Sequence, residues 1–353
     1  MNSLAPIPLR HSMVDAEPVD TQAPRFSFLI ANYNYADFVG QAIESALAVD
    51  WPNKEVIVVD DGSTDNSREV IGAFGDRIRA LYQFNQGQRT ANNIGFAQTT
   101  GDIVVFLDAD DMLEPEFAKA VAAAWTPATS KVQVQMRLVD AANQPLGICV
   151  PQLRQQPKPE QIARWARSNN EYPSSPGSGN AYARNFLDQI FPIGPEHDSS
   201  TDSTCLALAP LLGDVATVME PLVRYRRHGN NDSNLFKTKN GFAREVARAV
   251  QRQKSQESIC SRLGLQAPDP ASLRRSLHLL QLRAASLRST PDIHPLPDDG
   301  IGRAFLDALS APFKRSYAPL VKRLAISAWT LAVLLAPRLL VDPLLVSRFR
   351  TGR

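Results

Sequence analysis

An unbroken apolar run that ends in carboxylates constrains this chain more than any other stretch. Ile103 to Leu107 reads IVVFL, with no alternation of polar and apolar positions. That is the pattern of a strand buried on both faces, as in a parallel sheet covered by helices. Asp108, Ala109, Asp110 and Asp111 follow at once. Open α/β sheets bind ligands beyond the carboxyl ends of their strands, so the acids stand where such a fold keeps its site.

In extended chain, side chains at i and i+2 point the same way, so Asp108 and Asp110 converge. Two hard oxygen ligands with open positions suit Mg²⁺ or Mn²⁺, which keep waters and take phosphate oxygens. Capping of the next helix is the competing role. For Asp111 it is the expected one, because Glu114 lies at capping-box spacing, although Pro115 disturbs the register. Capping does not explain why Asp108 and Asp110 directly follow a buried strand.

The rest of the first half repeats one pattern. Phe26 to Ile30 (FSFLI) predicts a strand ending in the polar tip Ala31 to Asn34, followed by a helix carrying Val39, Ile43, Ala46 and Leu47. Glu55 to Val59 predicts a second strand, ending in Asp60, Asp61 and Gly62, with a helix near 67–73. Ile78 to Tyr82 is a weaker third strand, leading through Gly87 and Arg89 to a helix over 91–97. Strands alternating with helices imply a parallel sheet with right-handed crossovers. Every strand delivers its polar segment at its carboxyl end. No GxGxxG follows the first strand and no GxxxxGK[ST] occurs, which argues against dinucleotide oxidoreductases and P-loop enzymes.

After Trp125 the pattern changes. Val132, Val134, Met136 and Leu138 alternate, which predicts a half-exposed antiparallel strand. Asp140 to Gln144 reads as a turn. Tyr172 to Asn180 (YPSSPGSGN) is a loop suited to close approach to a ligand. Helices are expected from Thr201 and over 242–287, with a break at Pro268 to Pro270. Among 353 residues the net charge is only +2, which gives no indication of a nucleic-acid partner. Three scattered cysteines suggest neither disulfides nor zinc, and fit a reducing compartment. Residues 1–23 contain no apolar core of signal-peptide length and are expected to be a disordered leader.

VVDDGSTDNS (58–67), the DAD of 108–110 and YRRHGNN (225–231), in that order, resemble family 2 glycosyltransferases over roughly residues 26–231. The resemblance implies the GT-A fold, an α/β architecture with a mostly parallel Rossmann-like sheet flanked by helices, here with a helical C-terminal extension. It implies a nucleotide-sugar donor, a UDP-sugar being favoured, a divalent metal, and inverting single displacement. By the same resemblance, Asp110 is the metal ligand, Asp108 helps orient metal or sugar, and His228 stands where a metal or diphosphate contact is made. Ala31, Tyr33, Asp60, Asp61 and Arg89 fall on donor-binding positions, with Asp61 rather than Asp60 facing the ligand. Tyr33 as a structural loop residue and Arg89 as a solvated helix-end residue are the alternatives.

Inversion needs a carboxylate to take the acceptor proton. The family often has Glu-Asp at the start of a helix here. This chain has Thr201-Asp202, so Asp202 is the expected base and Asp198 and Glu196 are rivals. A first-turn acid favoured by the helix dipole is the simpler role for Asp202. The family's usual Arg in the helix after Gly87 is replaced by Asn92. Arg224 or Arg227 is expected to hold phosphate, with plain solvation the alternative. No QxxRW segment occurs, which points to single addition rather than chain building.

Leu324 to Ala336 is strongly apolar, with Lys314, Arg315, Lys322 and Arg323 before it and Arg338, Arg348, Arg350 and Arg353 after. A spanning helix needs about 20 apolar residues, and Pro337 interrupts this one. A helix lying on a membrane surface fits better, with packing on the protein's own core as the alternative. The expected organisation is a transferase domain over 24–232 (donor half 24–125, acceptor half 126–232), a helical extension over 233–310 and a membrane-associating tail over 311–353. The expected activity is transfer to a glycan or lipid-linked acceptor, a cell-surface polysaccharide precursor among them, at the cytoplasmic face of the plasma membrane. A non-catalytic nucleotide-sugar sensor or scaffold and a nucleotidyltransferase are the alternatives.

Overall fold

The computed structural model describes residues 23–349 apart from 199, 230, 232–234 and 315. The leader up to residue 22, Asn230, Arg315, Arg350 and Arg353 therefore lie outside the described residues. Four strands, β1 (Phe26–Asn32), β2 (Lys54–Asp60), β3 (Arg79–Tyr82) and β4 (Ile103–Asp108), pair in parallel in the order β3-β2-β1-β4. The helices α1 (Ala36–Ala48), α2 (Ser67–Gly72) and α3 (Gln88–Phe96) join them. Strand β4 lacks alternation because both its faces are covered. Ile103, Val105 and Leu107 pack with Phe28, Ile30 and α1, while Val104 and Phe106 pack with Tyr182 and Phe186 on the other side.

The short β5 (Met112–Leu113) and α4 (Phe117–Ala123) lead to β6 (Thr129–Val139) and β7 (Pro145–Val150). Next come α5 (Pro159–Asn169), β8 (Asn180–Ala183), α6 (Arg184–Leu187), α7 (Thr201–Leu212) and β9 (Asp214–Arg226). The sheet continues β4-β8-β6-β9-β5, with β7 on the other part of β6. Strand β8 is antiparallel to β4 and β6, while β6 runs parallel to β9.

The expectation for β6 needs correcting. Its polar positions do not form an exposed face: Lys131 and Gln133 are fully buried, and Gln135 and Arg137 are half-buried. Lys131 Nζ donates to Gln133 Oε1 (3.0 Å), Asn180 Oδ1 (2.8 Å) and Ser174 Oγ (3.2 Å). A buried polar group is tolerated when it is hydrogen-bonded, so the alternation reflects an internal polar ladder rather than an exposed face.

Beyond β9 the chain is helical: α8 (Gly241–Arg262), α9 (Leu277–Ser289), α10 (Ile301–Ser310), α11 (Leu320–Leu335) and α12 (Arg338–Phe349). The expected break is wider than Pro268 to Pro270: residues 263–276 separate α8 from α9 and include a 3₁₀ helix over Pro270–Arg275. Phe242, Val246, Leu279, Leu282, Val333 and Leu345 form a core of their own. Helix α9 is buried nearly all round, including Arg283, whose guanidinium donates twice to Asp299 at 2.7 Å. Helix α11 packs Ile326, Thr330, Val333 and Leu334 inward, so the tail does dock on the protein's own core. No helix among the described residues is long and apolar enough to cross a membrane. Cys205 and Cys260 are buried free thiols.

Candidate active site

The parallel strands end on one edge of the sheet, and the chemistry-bearing residues gather there. Asp108 closes β4, and the chain turns through Asp110 and Asp111, where Asp111 N–H donates to Asp108 O at 3.1 Å. Ligand atoms of Asp108, Asp110 and Asp111 all lie within 4.8 Å of one another. Asp108 and Asp110 converge as expected. Asp111 is the correction: it caps nothing. The next helix starts at Phe117 behind Glu116 with no side-chain cap. Asp111 is fully buried, accepts from Ser178 Oγ (2.6 Å) and Arg226 N–H (2.9 Å), and joins the acidic cluster. Glu114, its supposed capping partner, accepts both arms of Arg224 at 2.8 and 3.0 Å. That ion pair occupies the Arg224 guanidinium, against the phosphate contact expected of it, while Arg227 is exposed.

Fully ionised, the three carboxyls would carry more negative charge than their surroundings neutralise. Burial and the charges of Asp110 and Asp202 push the Asp108 carboxyl up to about 8. Burial and the charges of Asp110 and Asp108 hold Asp111 well above the carboxylate range. A divalent cation among these oxygens would relieve the repulsion, so the donor set fits the hard-metal site expected of it.

Several neighbours position this cluster. Ser178 Oγ accepts from Asp108 N–H at 3.0 Å while donating to Asp111, and Gly177 leaves room beside it. A Cβ on Gly177 would stand 3.0 Å from Asp108 Oδ2. His228 Nε2 meets Asp110 Oδ2 at 2.9 Å, and Asn231 Nδ2 donates to the same oxygen at 3.2 Å. The His228 ring stacks on Phe38 at 5.0 Å and meets Tyr35 edge-on. His228 thus stands at the site, beside the cluster and on Asp110. Arg226 is buried, donates through Nε to Asp110 O (2.8 Å), and lies over the Phe38 ring. Sequence reasoning missed Ser178, Asn231 and Arg226. Each sits inside a segment already singled out, but nothing in the spacing marked the individual residue.

Asp202 lies in the first turn of α7, where its Oδ1 accepts from Ser203 N–H (2.8 Å) and from Ser200 Oγ. Its charge is felt at Asp108. The rivals are placed differently. Asp198 is buried and accepts Arg248 (3.1 and 3.2 Å) and Arg252 (3.2 Å), both from α8. Glu196 is exposed and pairs with His197 at 3.2 Å.

On the donor side, Ala31 pairs across the sheet with Asp108, at the same height as the cluster. Asp60 and Asp61 are both buried. Asp60 accepts from Asn32 Nδ2 (3.0 Å), Ser63 N–H (3.2 Å) and Arg68 Nε (3.2 Å). Asp61 accepts from Gln83 Nε2 (2.6 Å), Gln86 N–H (2.9 Å) and Gly87 N–H (2.8 Å), so it braces the loop leading into α3. Gly62, at φ +75°, lets that loop pass: a Cβ there would lie 2.6 Å from Asn85 N. Tyr33 is 44% exposed and lines a cavity of about 280 Å³ with Tyr35, Phe38, Asp65, His228 and Lys237. Arg89 donates to His197 O at 3.2 Å, linking α3 to the segment before α7.

Residues 27–191 match the family model described as glycosyl transferase family 2. An uncharacterized glycosyltransferase of Nostoc sp. is 35% identical over 243 residues, 67% of this chain and 72% of that protein. An uncharacterized glycosyltransferase of Escherichia coli is 37% identical over 94 residues, 26% of this chain and 27% of that protein. Among solved structures, Staphylococcus aureus TarS 1–349 in complex with UDP-GlcNAc aligns with a TM-score of 0.52 at 16% identity, covering 93% of this chain and 92% of that one. The mannosyltransferase PcManGT from Pyrobaculum calidifontis, in complex with GDP-Man and Mn²⁺, aligns with a TM-score of 0.50 at 19% identity, covering 93% and 90%.

Proposed function

The chain belongs to glycosyltransferase family 2 and has the GT-A fold, and on that premise we propose that it moves a sugar from a nucleotide donor to an acceptor hydroxyl by metal-assisted, inverting single displacement. The observation that carries this reading is the Asp108, Asp110 and Asp111 cluster at the end of β4, electrostatically in touch with Asp202.

Asp110 and Asp108 would hold Mn²⁺ or Mg²⁺, with Asp111 behind them and His228 steering Asp110. Such an ion neutralises the departing nucleoside diphosphate, the charge that grows in the transition state. Asp202 takes the acceptor proton. Asp198 is the weaker candidate because two arginines already hold it. Ala31, Tyr33, Asp60, Asp61 and Arg89 form the donor side, with Tyr33 stacking on the base. For Asp60 and Asp61 the role is partly indirect, since both brace the loops that would surround the nucleotide. The UDP-GlcNAc and GDP-Man bound by the two structural neighbours support a nucleotide sugar as donor.

We assign the transferase domain to 24–232, the helical extension to 233–310 and the tail to 311–353. The acceptor is a glycan or lipid-linked precursor, reached from the cytoplasmic membrane face by a peripheral protein. Between Asp307 and Asp342 the sequence has no acidic residue and five basic ones, which suits an anionic lipid surface.

The test is a screen of UDP- and GDP-sugars for Mn²⁺-dependent thermal stabilisation, followed by assay of the released product. Nucleoside diphosphate release with sugar transfer is expected. Pyrophosphate release would make the protein a nucleotidyltransferase, and binding without transfer or hydrolysis would make it a sensor.

A further inference from the structure

A larger cavity, about 440 Å³, lies where the transferase sheet meets the C-terminal helices. That is within the range of small-molecule sites, about 300–1,000 Å³. Its apolar walls come from both sides, Val150 and Pro173 from the sheet region, and Leu273, Leu279 and Leu282 from the helices. Gln152, His278, Tyr317 and Lys322 also line it, and none of their side-chain polar atoms has a protein hydrogen-bond partner among the described residues. Convergent polar groups in an apolar cavity are the signature of a ligand site.

Two connections tie the cavity to the candidate active site. The loop that forms one wall, at Tyr172 to Ser174, continues to Ser178 beneath Asp108 and Asp111. It is pinned at its start, where Tyr172 OH donates to Leu206 O on α7 at 2.8 Å. On the opposite wall, Arg252 reaches Asp198, four residues before Asp202. The cavity therefore flanks the acceptor side of the cleft.

We propose that this cavity is a subsite for an uncharged sugar unit of the acceptor, set back from the hydroxyl that receives the transferred sugar. The proposal rests on the reading of the chain as a sugar transferase with a glycan acceptor. The polarity of the lining groups selects this class. The Gln152 amide and the Tyr317 hydroxyl each offer a donor and an acceptor. His278 is exposed at the cavity, and desolvation of its ring together with the charges of Arg252 and Arg348 holds it below its ordinary value, so at neutral pH the ring also offers one of each. Burial raises the Tyr317 phenol, which stays a hydroxyl. The cations do not mark an ion site, because each faces a carboxylate. Arg252 holds Asp198, and Lys322 feels the charge of Glu171. Glu171 is itself spent on the start of α9, accepting from Ser276 Oγ (2.6 Å), Leu277 N–H (2.9 Å) and His278 N–H (3.1 Å). Mixed donors and acceptors over apolar walls match ring hydroxyls over C–H faces.

Saturation-transfer NMR on the full chain, without donor or metal, tests this with D-glucose, D-galactose, D-mannose and N-acetyl-D-glucosamine as probes. At least one sugar should receive saturation. That signal should fall roughly tenfold in His278→Ala and in Gln152→Trp, as expected for losing one or two hydrogen bonds or blocking the mouth. It should persist in Asp110→Ala. Gln152 is exposed, so its replacement tests occupancy without disturbing a core, and melting curves verify the fold of each variant. Saturation of no sugar, or signals unchanged in both cavity variants, overturns the proposal. Mn²⁺-dependent UDP-sugar binding, measured on the same samples, reports on the transferase reading separately.

Discussion

Asn92 on α3 donates through Nδ2 to Thr201 Oγ1 at the head of α7, at 3.0 Å, with both side chains buried. These are the two positions where the sequence departs from the family pattern it resembles, which has arginine at the first and an acid at the second. In space the two departures are one. A buried ion pair costs desolvation on both sides, and a neutral amide–hydroxyl pair keeps a hydrogen bond without that cost. The departures therefore do not weaken the case for catalysis, because they leave Asp202 in place beside the pair.

The contact predicts a double-mutant cycle. Asn92→Arg alone buries a cation against a hydroxyl, and Thr201→Glu alone buries a carboxylate against an amide. Each should lower stability by about 3–5 kcal/mol, and the double variant should recover most of the loss. Urea unfolding measures all three. Additive losses would show that the two sites do not pair.

Asp110→Ala should reduce donor turnover by roughly 10³-fold at saturating Mn²⁺, within the range of other deleted transition-state electrostatic contacts. The fold should survive, because His228 keeps its stack on Phe38 and Arg226 bonds the backbone oxygen of residue 110 rather than its side chain. Nucleoside diphosphate release measures turnover, and circular dichroism checks the fold. Full turnover in the variant would remove the metal assignment.

Asp202→Asn and Asp198→Asn should fail in different ways. The first should bind donor normally and lose about 10²–10⁴-fold in transfer, the usual contribution of a general base. The second leaves Arg248 and Arg252 without their buried counter-ion, so it should lower the melting temperature before it lowers turnover. Calorimetry and transfer assays on both variants separate base from brace. The opposite pattern would move the base to Asp198.

How much was legible depends on what each residue's partner is. The unbroken apolar run of β4 is local information, and it located the strand, its double burial and the acids beyond it. Lys131 and Gln133 misled because their partners, Ser174, Asn180 and Thr217, are distant in sequence. A buried lysine with three oxygen partners reads like an exposed one until the loop folds over it. Asp111 misled for the same reason: Glu114 is nearby in sequence, but Ser178 and Arg226 are its partners in space.

The raised Asp108 carboxyl predicts how metal and pH interact. In the metal-free folded protein it keeps its proton up to about 8, against an ordinary value of 3.8 in the unfolded chain. Between those values the folded state binds the extra proton. Its contribution to stability is therefore complete below the unfolded value and is lost as pH rises through about 8. A bound cation replaces that proton, so Mn²⁺ should raise the melting temperature more at pH 8 than at pH 6. At a hundredfold excess over its dissociation constant the gain is about 2.7 kcal/mol. Differential scanning fluorimetry with and without Mn²⁺ measures it, and an equal shift at both pH values would contradict the cluster's electrostatics.

The last prediction concerns the outer face of α11. Its inner face is committed to the core, yet Leu320, Val321, Leu324 and Leu335 are 52%, 79%, 50% and 67% exposed, and Leu339 beyond it is 90% exposed. Ala325, Ala328 and Ala332 lie exposed on the same helix, so the outward face is apolar. A helix in contact with water alone would place charge there. Basic residues sit at the edges instead, Lys322 near its start and Arg338 just past its end. Leu324→Glu with Leu335→Glu removes two insertions of about 1.5–3 kcal/mol each and adds repulsion from anionic headgroups. Binding to vesicles of phosphatidylglycerol and phosphatidylcholine should therefore fall by more than about tenfold. Turnover of a soluble donor should not change, because both positions lie outside the cleft. Sedimentation with vesicles measures the first and a coupled diphosphate assay the second. Equal sedimentation of wild type and variant, or a wild type that stays in the supernatant as a dimer, would show that another copy of the chain rather than lipid covers this face.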